Sequence, residues 1–507
     1  MGVQGLRKFI DCSSCTSVLP SNPKETASVD IVTFDMNCIV HSSHSSSHET
    51  ASETIDAVCV RVRHIIEHIV SPRKYLALCF DGPAPYAKLH TQRIRRRKLG
   101  NMDVGNANRF SDLSITCGST FMVQLENCLA RMFQTSLQLS FPVVFFGSAV
   151  AGEGEAKISS FLAFCAVQPS YNVNDTVVIV GNDIDLTLTA LAATQYFNVS
   201  VLSPSSLQVI DVGSVVARWI EPGGGFLPSV DHIASARMDM VFLFLLNGGD
   251  HFAGVGDAAA DLWKRYRLVR ASDPDRSLMR STRMLDLEFL GKVLQVGSYN
   301  GRAEPAPGRS LLRAALWAFH TTVTGVCPDY TFVASDIAPS LSNVKAAVLL
   351  ELQGHPSLRV SLGLSRPLSP LATFVALMPT LEHQPPGVRD VLRKDDKLCS
   401  KLLYSNEPTV VAEAALRAVD LARASLSRVE GLLCDLAVPV QVNVVQKPKP
   451  LSRYEVHRRA SHGTSKHESL RFSACPIDLP ASFDYFAHLD RKVVFSNAFP
   501  RRKTSRD

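Results

Sequence analysis

Short runs of apolar residues, each followed by acidic residues, recur along the first half of the chain. Five such runs end at Phe34, Phe80, Phe146, Val180 and Leu246. Short apolar runs rich in valine, isoleucine and aromatic residues are typical of buried parallel strands. The carboxyl ends of parallel strands lie at one edge of the sheet, where ligands bind. The pattern therefore predicts an α/β fold whose acidic residues converge on one crevice.

The acidic residues after these runs form the first candidate site. They are Asp35, Asp81, Glu153, Glu155, Asp183, Asp185 and Asp250. Carboxylates crowded into one crevice repel one another unless cations neutralise them, and a site with oxygen ligands alone suits Mg²⁺ or Mn²⁺. For single members a structural role is the alternative, since acids complement a helix start and aspartates cap turns. The full set predicts a metal-dependent site that transfers or cleaves phosphate.

A basic segment follows the second acidic position. It carries four polar residues at helical spacing, Lys88, Gln92, Arg95 and Arg96. At about 100° per residue these side chains share one face of an α-helix. Two guanidinium groups, an ammonium group and an amide suit a terminal phosphate, and the position directly after Asp81 favours such a pocket over an ordinary solvated face. His41 is either a structural histidine or a side chain that stacks on a nucleic-acid base.

Composition narrows the class of protein. With 507 residues, 46% of them hydrophobic, the chain can bury a large core and should form more than one domain. The net charge of +6 is modest, but basic residues cluster at 93–98 and near the C-terminus, which favours nucleic acid as partner. Scattered single cysteines are typical of a reducing compartment, and no apolar run approaches the ~20 residues of a membrane helix. We expect a soluble intracellular protein, nuclear or cytoplasmic, without a membrane partner.

The hydrophobic pattern divides the chain into three regions. Residues 1–257 alternate strand-like and helical patterns and are predicted to form an α/β domain with the acidic metal site. Residues 258–440 are mainly helical, with apolar residues at helical spacing in Leu285–Leu294 and Val411–Leu433. Residues 441–507 contain Lys447–Pro450 and a basic end, and are predicted to form a linker and tail. We expect the second region to pack on the first.

Several segments resemble the XRN family of 5′→3′ exoribonucleases. They are Met1–Val3, Phe34–His41, Asp81–Arg97, Ile115–Leu125, Gly152–Ile158 and Gly181–Leu186, and, in the second half, parts of Gly325–Pro339 and Leu364–Pro379. The resemblance implies a Rossmann-like sheet of the PIN or flap-nuclease type, mostly parallel and flanked by helices, with a mainly helical second conserved region packed on it. It also implies that the seven acids are catalytic and bind two Mg²⁺ or Mn²⁺ ions. The four residues of the basic segment would then bind a 5′-phosphate, and His41 would stack on a substrate base.

Two segments depart from the family pattern. The family carries tryptophans where this chain reads Pro328–Phe332, so base stacking is assigned to Tyr330 or Phe332. The family's Gly-Asn-Asp is replaced by Gly248–Asp250 here.

The resulting prediction is metal-dependent hydrolysis of single-stranded RNA from a 5′-monophosphate end to 5′-mononucleotides, in RNA decay or processing. One alternative is a structure-specific DNA 5′-nuclease of the flap-endonuclease type, because Met1–Leu6 also resembles the start of those enzymes. The other is a catalytically weakened RNA-binding scaffold. The second-half segments favour the exoribonucleases over the flap endonucleases, which lack them. Partner proteins are not predicted.

Overall fold

The structure, a computed structural model, describes residues 3–442 and 474–476, apart from gaps at 4, 13–14, 21–24, 46–49, 103–109, 136, 138, 140, 142, 221–229, 257–258, 335–336, 355–357, 361 and 364. Its strands are β1 (Thr16–Val18), β2 (Ala27–Asp35), β3 (Val70–Cys79), β4 (Val143–Phe146), β5 (Thr176–Val180), β6 (Asn198–Leu202), β7 (Gln208–Asp211), β8 (Met279–Ser281), β9 (Met284–Leu285), β10 (Val440–Val442) and β11 (Ala474–Pro476). Its helices are α1 (Leu6–Cys12), α2 (Met36–Ser43), α3 (Ala51–His68), α4 (Tyr86–Met102), α5 (Thr120–Thr135), α6 (Gly154–Ala166), α7 (Leu186–Ala192), α8 (Val212–Ile220), α9 (Val230–Leu245), α10 (Ala259–Ser272), α11 (Leu287–Leu294), α12 (Pro305–Thr324), α13 (Leu341–Gln353), α14 (Pro370–Leu377), α15 (Pro386–Lys394), α16 (Asp396–Tyr404), α17 (Pro408–Ala422) and α18 (Arg428–Leu432).

One large sheet organises the described part of the chain. Its strand order is β1-β7-β6-β5-β2-β3-β4-β10-β11. The central strands from β6 to β4 run parallel, and antiparallel strands flank them on both sides. Strands β8 and β9 form a separate hairpin. The fold is therefore α/β with a mostly parallel sheet, as the sequence predicts.

Four of the five apolar runs are strands, namely β2, β3, β4 and β5. The prediction is wrong for Val241–Leu246, which forms the end of α9 and the turn after it. This run is buried almost completely, and a helix buried on all sides has the same continuous apolar pattern as a buried strand. Asp250 is therefore delivered to the sheet edge from a helix and not from a strand.

Helices cover both faces of the sheet. Neighbouring residues of β2 point to opposite faces, as in any strand: Ile31 belongs to a core cluster with α6, α7, α9 and α12, and Val32 to a second cluster with α3 and α5. A third cluster joins α4 to α14, α15, α16 and α17. The first two clusters bury the apolar runs on both faces, so the carboxyl edge of the sheet is where polar groups can gather.

The region after residue 258 is rich in helices. The pattern at Leu285–Leu294 contains α11, and the one at Val411–Leu433 contains α17 and α18, with an interruption at 423–427. The first core cluster continues from β2 to α13 and so includes residues on both sides of the predicted boundary at 257. The domain limits remain a prediction.

The predicted C-terminal tail contributes β11, which pairs with β10 at the end of the sheet. The predicted linker at Lys447–Pro450 and the basic end lie outside the described residues. None of the described helices is long and apolar enough to cross a membrane.

Candidate active site

A cavity of about 410 Å³ lies at the carboxyl edge of the parallel strands. The predicted site residues that line it are Asp35, His41, Asp81, Lys88, Gln92, Arg95, Arg96, Glu153, Glu155, Asp183, Asp185, Asp250 and Tyr330. Phe332 is the one predicted site residue that does not line it. Side chains from Asp35 to Tyr330 thus line one cavity. The roles of these residues stay predictions.

Strand register brings four of the acids together. Asp35 ends β2 and pairs with Cys79 at the end of β3, two residues before Asp81. On the other side of β2, Phe34 pairs with Val180 at the end of β5, from which Asp183 and Asp185 follow directly. Because the three strands are parallel neighbours, their carboxyl ends place these acids side by side.

Glycines allow the next two acids to approach. Gly152 has a φ of +97°, a left-handed conformation that favours glycine. It leads into Glu153, the N-cap of α6, and Glu155 lies in the first turn of that helix. The Gly154 amide donates to Asp81 Oδ1 at 2.8 Å, and a Cβ at residue 154 would lie 3.1 Å from Asp35 Oδ1. Any larger residue between the two glutamates would therefore crowd the carboxylates.

Burial and mutual repulsion perturb several of these acids. Burial, with the charges of Asp81 and Asp183, raises the pKa of Asp35 to about 8. Burial and Asp183 raise the pKa of Asp185 to about 6. Burial raises the pKa of Glu155 well above its ordinary value, and the charges of other site acids add to this effect. The crevice thus lacks enough positive charge to keep all its carboxyls ionised.

Glu153 has two partners, Lys88 of α4 and the imidazole of His251. Lys88 forms an ion pair with Glu153, and His251 Nε2 lies 2.7 Å from Glu153 Oε1. Burial acts to raise the pKa of Glu153, but Lys88 and His251 outweigh it and hold this pKa below its usual range. In turn, burial acts to lower the pKa of Lys88, and the nearby acids, Glu153 foremost, raise it well above its ordinary value. Arg95 pairs with Asp250 at 2.8 Å.

The helical-face prediction for the basic segment is confirmed. All four residues lie on α4, and all four line the cavity. Arg96 is held from behind, because its guanidinium donates to the carbonyls of Asp112 at 3.2 Å and Ile115 at 2.8 Å. Burial lowers the pKa of this guanidinium. The cavity therefore has an acidic wall at the strand ends and a basic wall on α4.

The predicted stacking residues separate into two groups. The His41 side chain is 45% exposed and lies at the cavity, and Tyr330 lines the wall near Gly152. Phe332 stacks instead on Trp317, with ring centroids 5.1 Å apart and an interplanar angle of 23°. Phe332 thus supports a lining residue and has no place in the lining itself.

Among the lining residues that sequence reasoning missed are His251 and Trp317. Their rings meet edge to face at 5.5 Å, and the Trp317 indole N–H donates to the Asp329 carbonyl at 3.1 Å. Trp317 lies on the apolar side of α12 and is 3% exposed, so its pattern is that of a core residue. For His251 a signal existed, because it directly follows a predicted site acid.

The donor set fits a divalent cation in its chemistry. All seven acids offer carboxylate oxygens, and Asp250 Oδ1 is buried without a hydrogen-bond partner. Burial first, and then the charges of neighbouring acids, raise the pKa of Asp35 and Glu155, and a bound cation would favour their ionised forms. Within the described ranges, however, no group of three or more histidine, cysteine or acidic side chains is arranged so that it could hold a metal ion. Lys88 and Arg95 supply the counter-charges in this arrangement.

Fold and cavity together define a PIN-like α/β domain with acids at its strand ends. Residues 1–204 match the family model described as the XRN 5′-3′ exonuclease N-terminus. The first two fifths of the chain are therefore similar to the N-terminal domain of this family.

Similar proteins include 5′-3′ exoribonuclease 2 of Candida glabrata, which is 29% identical over 206 residues, or 34% of this chain and 20% of that protein. The 5′-3′ exoribonuclease 1 of Saccharomyces cerevisiae is 29% identical over 32% of this chain and 12% of its own length. The 5′-3′ exoribonuclease 1 of Schizosaccharomyces pombe is 31% identical over 32% of this chain and 14% of its own length. The matched segment thus spans a fifth or less of each of these relatives.

Proposed function

We propose that this protein is a metal-dependent 5′→3′ exoribonuclease that hydrolyses single-stranded RNA with a 5′-monophosphate end and releases 5′-mononucleotides. One observation carries the proposal: the basic face of α4 and the strand-end acids line the same cavity. A phosphate held on the basic face would place the next phosphodiester bond near the acids. The names of the similar proteins support the same reaction and an RNA substrate.

The seven acids that line the cavity are the proposed ligands of two Mg²⁺ or Mn²⁺ ions. They are Asp35, Asp81, Glu153, Glu155, Asp183, Asp185 and Asp250. When bound, such ions activate water and stabilise the charge on the leaving oxygen. The chain's own residues prepare the site, because the Gly154 amide orients Asp81 and the Val3 amide orients Asp185 at 2.9 Å.

The basic residues have two sets of anionic partners in this scheme. Lys88 and Arg95 pair with Glu153 and Asp250 in the structure, and a terminal phosphate would compete for the same cations. Phosphate binding would therefore release two carboxylates for metal ions. The held terminal phosphate also gives the reaction its direction, since the chain can be cleaved only one nucleotide from the pocket.

The first test compares one single-stranded RNA carrying either a 5′-monophosphate or a 5′-triphosphate, digested with Mg²⁺ or with EDTA. We expect mononucleotides only from the monophosphate RNA with Mg²⁺, and loss of activity in Asp183→Ala. In the double variant Arg95→Ala with Arg96→Ala, the preference for the monophosphate end should fall at least about tenfold. A tenfold change corresponds to ~1.4 kcal/mol, the size expected for the loss of one charge-assisted contact. The exposed pair Arg393→Ala with Lys394→Ala on α15 is the matched control.

Two results would replace the proposal. Cleavage of a DNA flap in preference to RNA would indicate a structure-specific DNA nuclease. Binding of RNA without any Mg²⁺-dependent turnover would indicate a scaffold, for which the pairing of Lys88 with Glu153 would be the permanent state of the site. An unchanged end preference in the double arginine variant would remove the phosphate pocket from the proposal.

A further inference from the structure

One carboxylate outside the acidic set lies between two imidazoles at the edge of the cavity. Asp112 Oδ1 is 3.9 Å from His41 Nδ1 and 3.8 Å from His44 Nε2. Both histidines lie at the end of α2, whereas Asp112 begins the short 3₁₀ turn Asp112–Ser114. Neither the acidic pattern of the strands nor the basic face of α4 includes Asp112, so its place beside His41 needs a separate explanation.

The second imidazole is fixed on its other side. His44 Nδ1 lies 3.1 Å from the hydroxyl of Thr54, a completely buried residue of α3, and its ring meets Phe110 edge to face at 5.3 Å. Thr54 and Phe110 thus hold the His44 ring in place. The contact with His44 in turn helps to hold the Asp112 carboxylate. The His41 side chain is 45% exposed and lines the cavity, and the Asp112 carboxylate is the group that can restrain its ring.

The same turn also holds the basic wall. The Asp112 carbonyl and the Ile115 carbonyl accept hydrogen bonds from the Arg96 guanidinium. Ser111 caps the turn by accepting from the Leu113 amide. The side chain of Asp112 thus lies beside the predicted stacking residue, while its backbone carbonyl contacts a predicted phosphate ligand, so one residue contacts both.

We propose that Asp112 is a positioning residue that holds the His41 ring in place for stacking and sets it against the Arg96 guanidinium. The role rests on the proposed function, because a terminal nucleotide would need its base on His41 and its phosphate near Arg96. Replacing the carboxylate alone removes the restraint on His41 and leaves the carbonyl contact to Arg96. The two functions of the residue can therefore be separated by experiment.

The test measures binding of fluorescent single-stranded RNA in EDTA, with either a 5′-monophosphate or a 5′-hydroxyl end, so that no cleavage interferes. Asp112→Asn should weaken the binding of both RNAs by the same factor, about 3- to 10-fold, the size of a partial loss of base stacking. The ratio between the two ends should not change, whereas Arg96→Ala should reduce that ratio. In a His41→Ala background, Asp112→Asn should have almost no further effect, because the restrained ring is gone.

The control is Asp390→Asn, which removes an aspartate of α15 whose side chain is 67% exposed and pairs only locally with Arg393 in the described structure. An equal loss of binding in the wild-type and His41→Ala backgrounds, or no loss at all, would overturn the proposal. If Asp112→Asn melts early, Thr54→Val offers a second route, since it removes the hydroxyl beside His44 without touching the turn and should weaken binding in the same direction. A Thr54→Val protein that binds as wild type would count against the restraint.

Failure of the proposed function would be visible separately. If the wild-type protein binds no RNA, the exoribonuclease proposal fails, and the restraint can still be measured without a ligand. The His41 ring signals in an NMR spectrum should then shift between wild type and Asp112→Asn, and identical signals would show that the carboxylate does not act on that ring.

Discussion

At the scale of single residues, the site is a balance between buried carboxylates and a few cations. Glu153 is paired with both Lys88 and His251, whereas Asp35 and Glu155 have raised pKa values because burial and neighbouring acids disfavour their charged forms. The sequence identified all seven acids but could not indicate which of them would be compensated. Which acid is compensated depends on where the Lys88 side chain lies in the folded protein. It also depends on His251, which no periodic pattern in the sequence identifies.

Protonation of Asp35 should make stability depend on pH in the absence of metal. Its pKa rises from 3.8 to about 8 in the folded protein, so the folded state binds this proton more tightly, and its contribution to stability falls as pH rises between those values. We expect Asp35→Asn in EDTA to gain in unfolding temperature relative to wild type from about pH 5 to about pH 8. Mg²⁺ should raise the unfolding temperature of the wild type more at the higher pH.

Between about pH 5 and about pH 8, the expected change in stability comes from Asp35 and not from Glu153, the acid whose charge is best compensated. Glu153 has a lowered pKa, so the stability it adds is already complete above its ordinary value of 4.5 and is lost only at more acidic pH. Asp185, with a pKa of about 6, acts in the same direction as Asp35. A constant difference between wild type and Asp35→Asn across the window, seen by scanning calorimetry, would contradict the raised pKa.

At the scale of elements, α4 joins the cavity to the helices of the second half. One face carries Lys88 and Arg95 at the cavity. Arg93, on another face, is 5% exposed and donates to the carbonyls of Ala376, Leu402 and Leu403. These carbonyls lie near the ends of α14 and α16, so the helix that carries the proposed phosphate pocket is fixed by backbone groups far away in sequence.

Loss of the Arg93 guanidinium should therefore destabilise the protein. Arg93→Met keeps the apolar stem but leaves three buried carbonyls without this donor, and we expect a loss of roughly 3 kcal/mol or more in the free energy of unfolding. The control is Lys98→Met at an exposed position of the same helix, expected to change stability by no more than about 0.5 kcal/mol. Urea titration of both variants decides the matter, and equal midpoints would mean that the Arg93 contacts contribute nothing.

At the scale of the whole molecule, distant parts of the chain complete one sheet. Strand β10 pairs with β4 through Val440↔Phe145 and Val442↔Val143, and Val442 is buried in the second core cluster. The strand therefore covers an edge of β4 that would otherwise present unpaired backbone groups. Nearly 300 residues of sequence separate the two partners, which is why no local pattern predicted the pairing.

Truncation should reveal the contribution of β10. A chain ending at residue 443 keeps β10, and one ending at residue 437 loses it, while both lack β11. We expect the shorter chain to melt at a lower temperature and to associate through the exposed edge of β4. Thermal unfolding and light scattering compare the two, and identical behaviour would show that β10 is dispensable for closing the sheet.

The sequence by itself determined the class of fold and every acidic residue, lysine and arginine that lines the cavity. Short apolar runs such as Ile31–Phe34 can be buried on both faces only in a covered parallel sheet, and the acids after them then share an edge. The helical spacing of the basic segment was likewise sufficient to predict one shared face on α4.

The tertiary structure alone decided what these local signals leave open. It made Val241–Leu246 the end of a helix and the turn after it, since a run buried on all sides has no periodicity that separates helix from strand. It placed Phe332 behind Trp317 and brought His251 onto Glu153, because such contacts depend on how whole elements pack. It also placed Asp112 between two histidines, a meeting of segments about seventy positions apart that spacing along the chain does not encode.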